Sequence, residues 1–284
     1  MTSNIEADNT FKLFEASYEH HFVDARVSIL VGLHDLNSEF YVLEHARLFV
    51  HSSFGNGVEV SQVGPSFFPT TALAARLRVS WASDGYLTSA VYDGIPGDPG
   101  DPIATQISID EGDSVFVITE VGISSDEGSY YKLGLGGWYP TASYDDIAGQ
   151  ARSANGGFCL IGEHDVWRDE AGRGVGVFGQ IGFADCERNQ MRSYFGGGFT
   201  WTGPFTSRPQ DIVGFAFAHA RNGEEFRRLN PSVTRAETAL ELSYLTALTR
   251  WFTIQPNIHY VIDPGIDSAV DNALVVGVRL RMTF

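Results

Sequence analysis

Asn272-Ala273-Leu274-Val275-Val276-Gly277-Val278-Arg279-Leu280-Arg281-Met282-Thr283-Phe284 alternates with a period of two. Leu274, Val276, Val278, Leu280, Met282 and Phe284 share one parity, and Ala273, Val275, Gly277, Arg279, Arg281 and Thr283 share the other. This is a strand with one apolar face and one arginine-bearing face. A soluble sandwich would turn the apolar row to a core. Here the row ends on an aromatic residue with arginines opposite, which fits a strand facing lipid outside and water inside.

The composition agrees with many short strands. The 284 residues are 43% apolar and 13% aromatic, only 19% are charged, and 31 are glycine, a mixture that suits strands with aromatic girdles better than a helical bundle. Mean hydropathy is −0.07, and no apolar run approaches the roughly 18 residues of a spanning helix, which excludes a helical membrane protein. Alternating strands escape that test because their two faces average out. A formal net charge of −16 opposes nucleic acid as a partner, since phosphate binding needs a basic face. Residues 1–4 show neither a basic nor an apolar region of a secretory signal. Cys159 and Cys186 fall at one end of the same predicted hairpin, several residues out of line, so a disulfide and two free thiols both stay open.

Period-two segments recur at residues 10–22, 25–34, 71–81, 86–93, 114–122, 130–138, 157–163, 174–183, 192–202, 211–219, 234–245, 251–262 and 272–284. About thirteen strands, joined alternately by short turns and long loops, predict an all-β transmembrane antiparallel up-and-down barrel in one domain, 1–284. The facing of 86–93 is ambiguous, and Pro256 inside 251–262 predicts a bulge. Between 174 and 219 one face holds Val175, Val177, Ile181, Phe195, Phe199, Trp201, Phe215 and Phe217. The other is mostly Gly174, Gly176, Gly182, Gly196, Gly198, Gly214, Ala216 and Ala218. A packed core wants volume there, so the small-residue face predicts a wide lumen. Phe22, Trp81, Trp201, Tyr244, Trp251 and Phe284 fall near the short-turn rim, where a girdle belongs. With the C-terminus at that rim, 10–22 runs toward it, whereas an even-stranded barrel starts with a strand running away. An odd number of strands, and a signal peptide, are therefore expected ahead of this sequence.

Inner parity places Glu237, Glu241, Gln255, Asn257, His259, Arg279 and Arg281 on three consecutive strands, and Arg76, Arg78, Glu120 and Lys132 elsewhere on the wall. Such groups can replace a solute's hydration at several weak sites along a pore, or can simply satisfy one another as cross-strand pairs. The long loop 35–69 is the candidate for an inward-folded constriction, with Glu44 and Arg47 presenting charge and Phe54 a stacking face.

Glu237-Thr238-Ala239-Leu240-Glu241-Leu242-Ser243-Tyr244, Trp251-Phe252-Thr253-Ile254-Gln255-Pro256-Asn257 and Asp263-Pro264-Gly265 resemble the carbohydrate-selective porins of the OprB type. Asn4-Ile5-Glu6-Ala7, Asn37-Ser38-Glu39-Phe40 after the Gly32 strand, Ser52-Ser53-Phe54-Gly55 and Arg208-Pro209-Gln210-Asp211 with Gly214 extend the resemblance over nearly the whole chain. It implies a porin barrel of about sixteen strands in the outer membrane of a Gram-negative bacterium, about three more than are present here. It further implies diffusion of mono- or oligosaccharides, contact with outer-membrane lipid, no catalytic residues and no cofactor. The terminal stretch is similar to the closing strand of bacterial outer-membrane barrels, whose last aromatic residue, here Phe284, is read by the assembly machinery. Oligomeric state stays open.

Other readings are a general porin, a barrel enzyme, a non-functional porin fragment and a soluble all-β binding module. No nucleophile and base can be drawn together from the scattered Ser and His residues. His20 and His21 point to opposite faces of one strand, and no ligand cluster has metal spacing. Gly174-Val175-Gly176 lies inside a strand, which is the wrong setting for a nucleotide loop.

Overall fold

The computed structural model describes residues 11–82, 84–97, 105, 114–127, 129–149 and 152–283. Its main sheet has thirteen antiparallel strands, each paired with its neighbours along the chain. They are β1 (Ala16–Phe22), β2 (Val27–His34), β3 (Ala72–Trp81), β4 (Gly85–Asp93), β5 (Val115–Ser125) and β6 (Tyr131–Pro140). After a two-stranded ribbon, β7 (Tyr144–Asp145) with β8 (Arg152–Ser153), the sheet resumes with β9 (Gly157–Arg168), β10 (Gly174–Ala184) and β11 (Met191–Thr202). It ends with β12 (Ile212–Asn222), β13 (Ala236–Ala247), β14 (Phe252–Ile262) and β15 (Ala273–Met282). Among the described residues the sheet is open between β1 and β15. The helices are short: α1 (Val58–Ser61) in the β2–β3 connection and α2 (Glu224–Leu229) in the β12–β13 connection.

Strand alternation sorts the side chains as expected. Leu77, Leu133, Leu135, Phe158, Phe199, Phe215, Phe217, Leu242, Ile258, Val276 and Leu280 are exposed on the outer face, an apolar belt that suits lipid and not water. Phe22, Trp81, Trp201 and Trp251 are exposed near the short-turn end, and Trp167 joins them; Phe284 lies outside the described residues. The ambiguous strand β4 resolves with Tyr86, Thr88, Ala90 and Tyr92 buried inward. Its sequence hid this because both of its faces carry apolar residues.

Three expectations change, and the open cysteine question closes. Pro256 makes no bulge: β14 keeps one register with β15 throughout and with β13 on either side of Tyr244 and Leu245, where the pairing lapses. Because proline has no N–H to donate, one rung is lost without a shift of register. Register does shift opposite Val175 and Gly176, where β9 runs on to Arg168, past the expected end at residue 163, and between Met191 and Ser193. Cys159 and Cys186 are both free, the first buried and the second exposed. The small-residue face does not border open space either. Loop residues Leu36, Phe40, Leu43, Leu48, Phe49, Phe54 and Val60 form one buried cluster with wall residues Tyr92, Phe116, Trp138, Ile161, Phe178, Tyr194 and Ala216.

Candidate functional site: the inward-folded loop and its cavity

Residues 35–71 leave β2 and turn into the sheet's concave side, touching the wall strand after strand. Arg76 on β3 ion-pairs with Glu39 at 2.7 Å and Glu19 at 2.8 Å and donates to Ser28, tying the loop's start to β1 and β2. Tyr41 has a left-handed φ of 63°, uncommon for a residue other than glycine, where the chain bends. Lys132 donates to the Val42 carbonyl at 2.8 Å and lies 3.3 Å from Glu120, which also accepts the Tyr86 hydroxyl.

Two wall carboxylates then take consecutive backbone amides. Glu163 accepts the N–H groups of Glu44 and His45, one on each oxygen, both at 2.9 Å. Glu241 accepts those of Val50 and His51 at 2.8 and 2.9 Å. The first pair opens the 3-10 turn His45–Leu48, with Glu44 as its cap, and the second lies just ahead of the 3-10 turn Ser52–Phe54, which His51 caps. Such turns begin with N–H groups that lack an internal partner, and an anion is the natural acceptor for them. Between the two contacts, Gln255 donates to the Leu48 carbonyl at 2.5 Å. The His45 ring lies 3.1 Å from Asp165 and 2.9 Å from Thr200. Beyond them, Gln180 donates to Phe54 O, Tyr194 donates to Ser53 O, and Gln62 exchanges two bonds with the Met191 backbone.

The glycines make this approach possible. A Cβ on Gly176 would lie 1.9 Å from the His45 ring, one on Gly182 2.1 Å from the Glu59 carboxyl, and one on Gly214 2.5 Å from Leu48. Loop side chains occupy the volume that the wall leaves free.

Of the polar residues expected on the pore wall, Arg76, Glu120, Glu237, Glu241, Gln255, Asn257 and His259 are buried. Lys132 is engaged by Glu120 and Val42, and the Arg78 guanidinium sits 5.4 Å from the Tyr86 ring centroid. Asn257 bonds His259, which lies 3.5 Å from Glu241, and Glu237 accepts the Gly265 amide. Partners within the fold therefore consume most of these groups. What remains open is a cavity of about 970 Å³ lined by Glu44, His45, Arg47, Arg168, Thr200, Gln255, Arg279 and Arg281, among others. Arg47 is 64% exposed and lies 3.3 Å from Glu44. Phe54 is 1% exposed and packs 5.1 Å from Phe49 and 6.4 Å from Phe178, ring centre to ring centre. The ring is enclosed in the loop's own core, while the residue borders the cavity.

Glu163, Asp165 and Glu59 escape the sequence reading. Glu163 and Asp165 lie on the inner parity of β9 at and beyond the point where that strand is expected to end, so the parity signal exists and the boundary conceals it. Glu59 stands in a short helix that no periodicity marks. It is fully buried, neither carboxyl oxygen has a hydrogen-bond partner, and burial raises its pKa to about 7. Among the described residues no group of His, Cys, Asp and Glu is arranged to hold a metal ion.

An antiparallel meander with an apolar outer belt, holding a long loop against its inner wall, defines an outer-membrane β-barrel of the porin class. Residues 2–284 match the family described as "Carbohydrate-selective porin, OprB family", and the chain belongs to that family. Its porins are outer-membrane proteins of Gram-negative bacteria. Porin B of Pseudomonas aeruginosa is 26% identical over 76% of this chain and 56% of its own length, so the chain spans a little over half of that relative. The high-pH structure of Pseudomonas putida OprB superposes with a TM-score of 0.82 at 21% identity, covering 94% of this chain and 72% of the other. The low-pH structure of that protein gives 0.59 at 18% identity, covering 94% and 65%. At these identities the two structures bear on the fold.

Proposed function

We propose that the chain supplies wall and constriction to a channel that passes mono- or oligosaccharides across the outer membrane by diffusion, without covalent chemistry. The observation that carries this reading is the charged, hydrogen-bonding cavity between the inward loop and the wall, bordered by a sheet whose outer face is apolar. Arg47 and Glu44 on the loop and Arg279 and Arg281 on the wall are the groups that would exchange a sugar's hydration for weak contacts, as passage through a selective pore requires. The sugar specificity is supported by membership of a carbohydrate-selective family. Recognition by the outer-membrane assembly machinery is assigned to β15, whose apolar row is exposed along its length.

The test is liposome swelling with purified, reconstituted protein. A hexose that enters faster than a non-carbohydrate solute of equal size supports selective passage; equal rates favour a general porin, and no swelling removes the channel reading. Arg47→Ala is expected to lower the preference for the hexose. At so exposed a site the contact contributes at most about 1 kcal/mol, hence up to about five-fold in relative rate. An unchanged preference takes Arg47 out of the constriction.

A further inference from the structure

We propose that Glu163 and Glu241 are positioning residues that set the channel's size-exclusion limit by fixing residues 44–51 across the lumen. The proposal rests on the channel reading and goes beyond it by naming what holds the constriction in place. The two contacts are alike in form. Each carboxylate spends both oxygens on two successive amides at or just ahead of the start of a tight helical turn. Each is also held from its own wall, Glu163 by the Tyr130 hydroxyl at 2.6 Å and Glu241 by the Ser243 hydroxyl at 2.6 Å. The loop is thus pinned at 44–45 and again at 50–51, and the stretch between them carries Arg47, exposed to the cavity.

Geometry makes the carboxylate irreplaceable at these points. A glutamine would keep one acceptor oxygen but set its NH2 against the second amide, two donors facing each other, and an N–H at or just ahead of the start of the turn would lose its partner. With one pin gone the segment rests on the other and on the single contacts of Leu48 and His45, and its distance from the opposite wall is fixed less tightly. Pore width follows that distance, so the loss should be felt by large solutes first. A residue serving only the stability of the sheet would change the amount of folded protein and leave the ranking of solutes intact.

The experiment compares the parent with Glu163→Gln, Glu241→Gln and the double variant in liposomes, using a series from monosaccharide to tetrasaccharide. Retention of the folded barrel is checked by heat-modifiable gel mobility, and limited proteolysis reports the loop. The proposal expects the trisaccharide-to-monosaccharide swelling ratio to rise several-fold in the single variants and further in the double, with new cleavage within 44–51. Folded variants with the parent's ratio and the parent's protease resistance overturn it. If the parent itself passes no sugar, the channel reading fails separately, and cleavage alone decides whether the glutamates hold the loop. If Glu241→Gln does not fold, His51→Pro removes one of the two amides at a residue whose φ of −70° already suits proline. It must shift the same readouts in the same direction, or the assignment falls.

Discussion

At the scale of single residues, burial changes what a carboxyl group does. Glu59 faces the Tyr41 hydroxyl from its own loop, the Cys159 thiol on β9 and Tyr194 on β11, and none of these brings a positive charge. Desolvation therefore governs, and its pKa rises from 4.5 to about 7. The native value lies above the unfolded one, so the native state holds the proton more tightly. Loop stability is then full below about pH 4.5 and falls as pH rises through about 7, with a limiting slope of about 1.4 kcal/mol for each pH unit between the two values. Glu59→Gln should remove Glu59's share of the slope: proteolytic opening of residues 35–71, measured from pH 4.5 to 8, should accelerate with pH in the parent and less steeply in the variant, where Asp35, raised by burial to about 6, supplies what remains below pH 6. An equal slope in both would assign the pH response to another group. The sequence places Glu241, Glu120 and Gln255 on the inner wall correctly through strand parity. It does not show that each is spoken for by a loop residue, because parity gives the side of a sheet and not the partner on that side.

At the scale of elements, the loop 35–71 and the wall from β9 to β13 are shaped to each other. The run of glycines and alanines is where the fit is closest, and it is also where alternation alone predicts the widest lumen. Gly182→Val tests the fit. Its Cβ would meet the carboxyl of Glu59, a flexible side chain on a loop that can retreat, while the β10 backbone is held by ladders on both sides. The barrel should therefore keep its heat-modifiable fold while the loop becomes readily cleaved. A loop as resistant as the parent's would mean that its packing against the glycine face contributes little. Strand positions are legible within a few residues because period-two alternation is a local property. The extension of β9 is not, because a bulge near Val166 places Val166 and Trp167 together on the exposed side and breaks the alternation there.

At the scale of the whole molecule, the charge and the grease are segregated. The outer face of the sheet carries Phe199, Phe215, Phe217 and Leu242 at mid-wall, while Glu120, Glu163, Asp165, Glu237 and Glu241 are buried on the inner side. This arrangement is stable only if the outside meets hydrocarbon, because charges cost least in a wet or well-paired lumen. Phe217→Arg, on the outer face of β12 and paired there with Gly197 and Leu240, should lower the folding stability in lipid by about 2–4 kcal/mol. Denaturant titration in vesicles would measure it, and a change below about 0.5 kcal/mol would place that face away from the bilayer interior.

The sequence by itself determined the strands within a few residues, the lipid face of every strand but β4, and the family, since these follow from local alternation and from short motifs. The length of the loop 35–69 already pointed to an inward fold; tertiary structure alone decided that the glycines of the wall accommodate it and that two glutamates hold it. The reason is distance along the chain. Glu44 and Glu163 are 119 residues apart, and Val50 and Glu241 are 191, so nothing near either residue signals its partner. Only the curling of the sheet around the loop brings the amides and the carboxylates together.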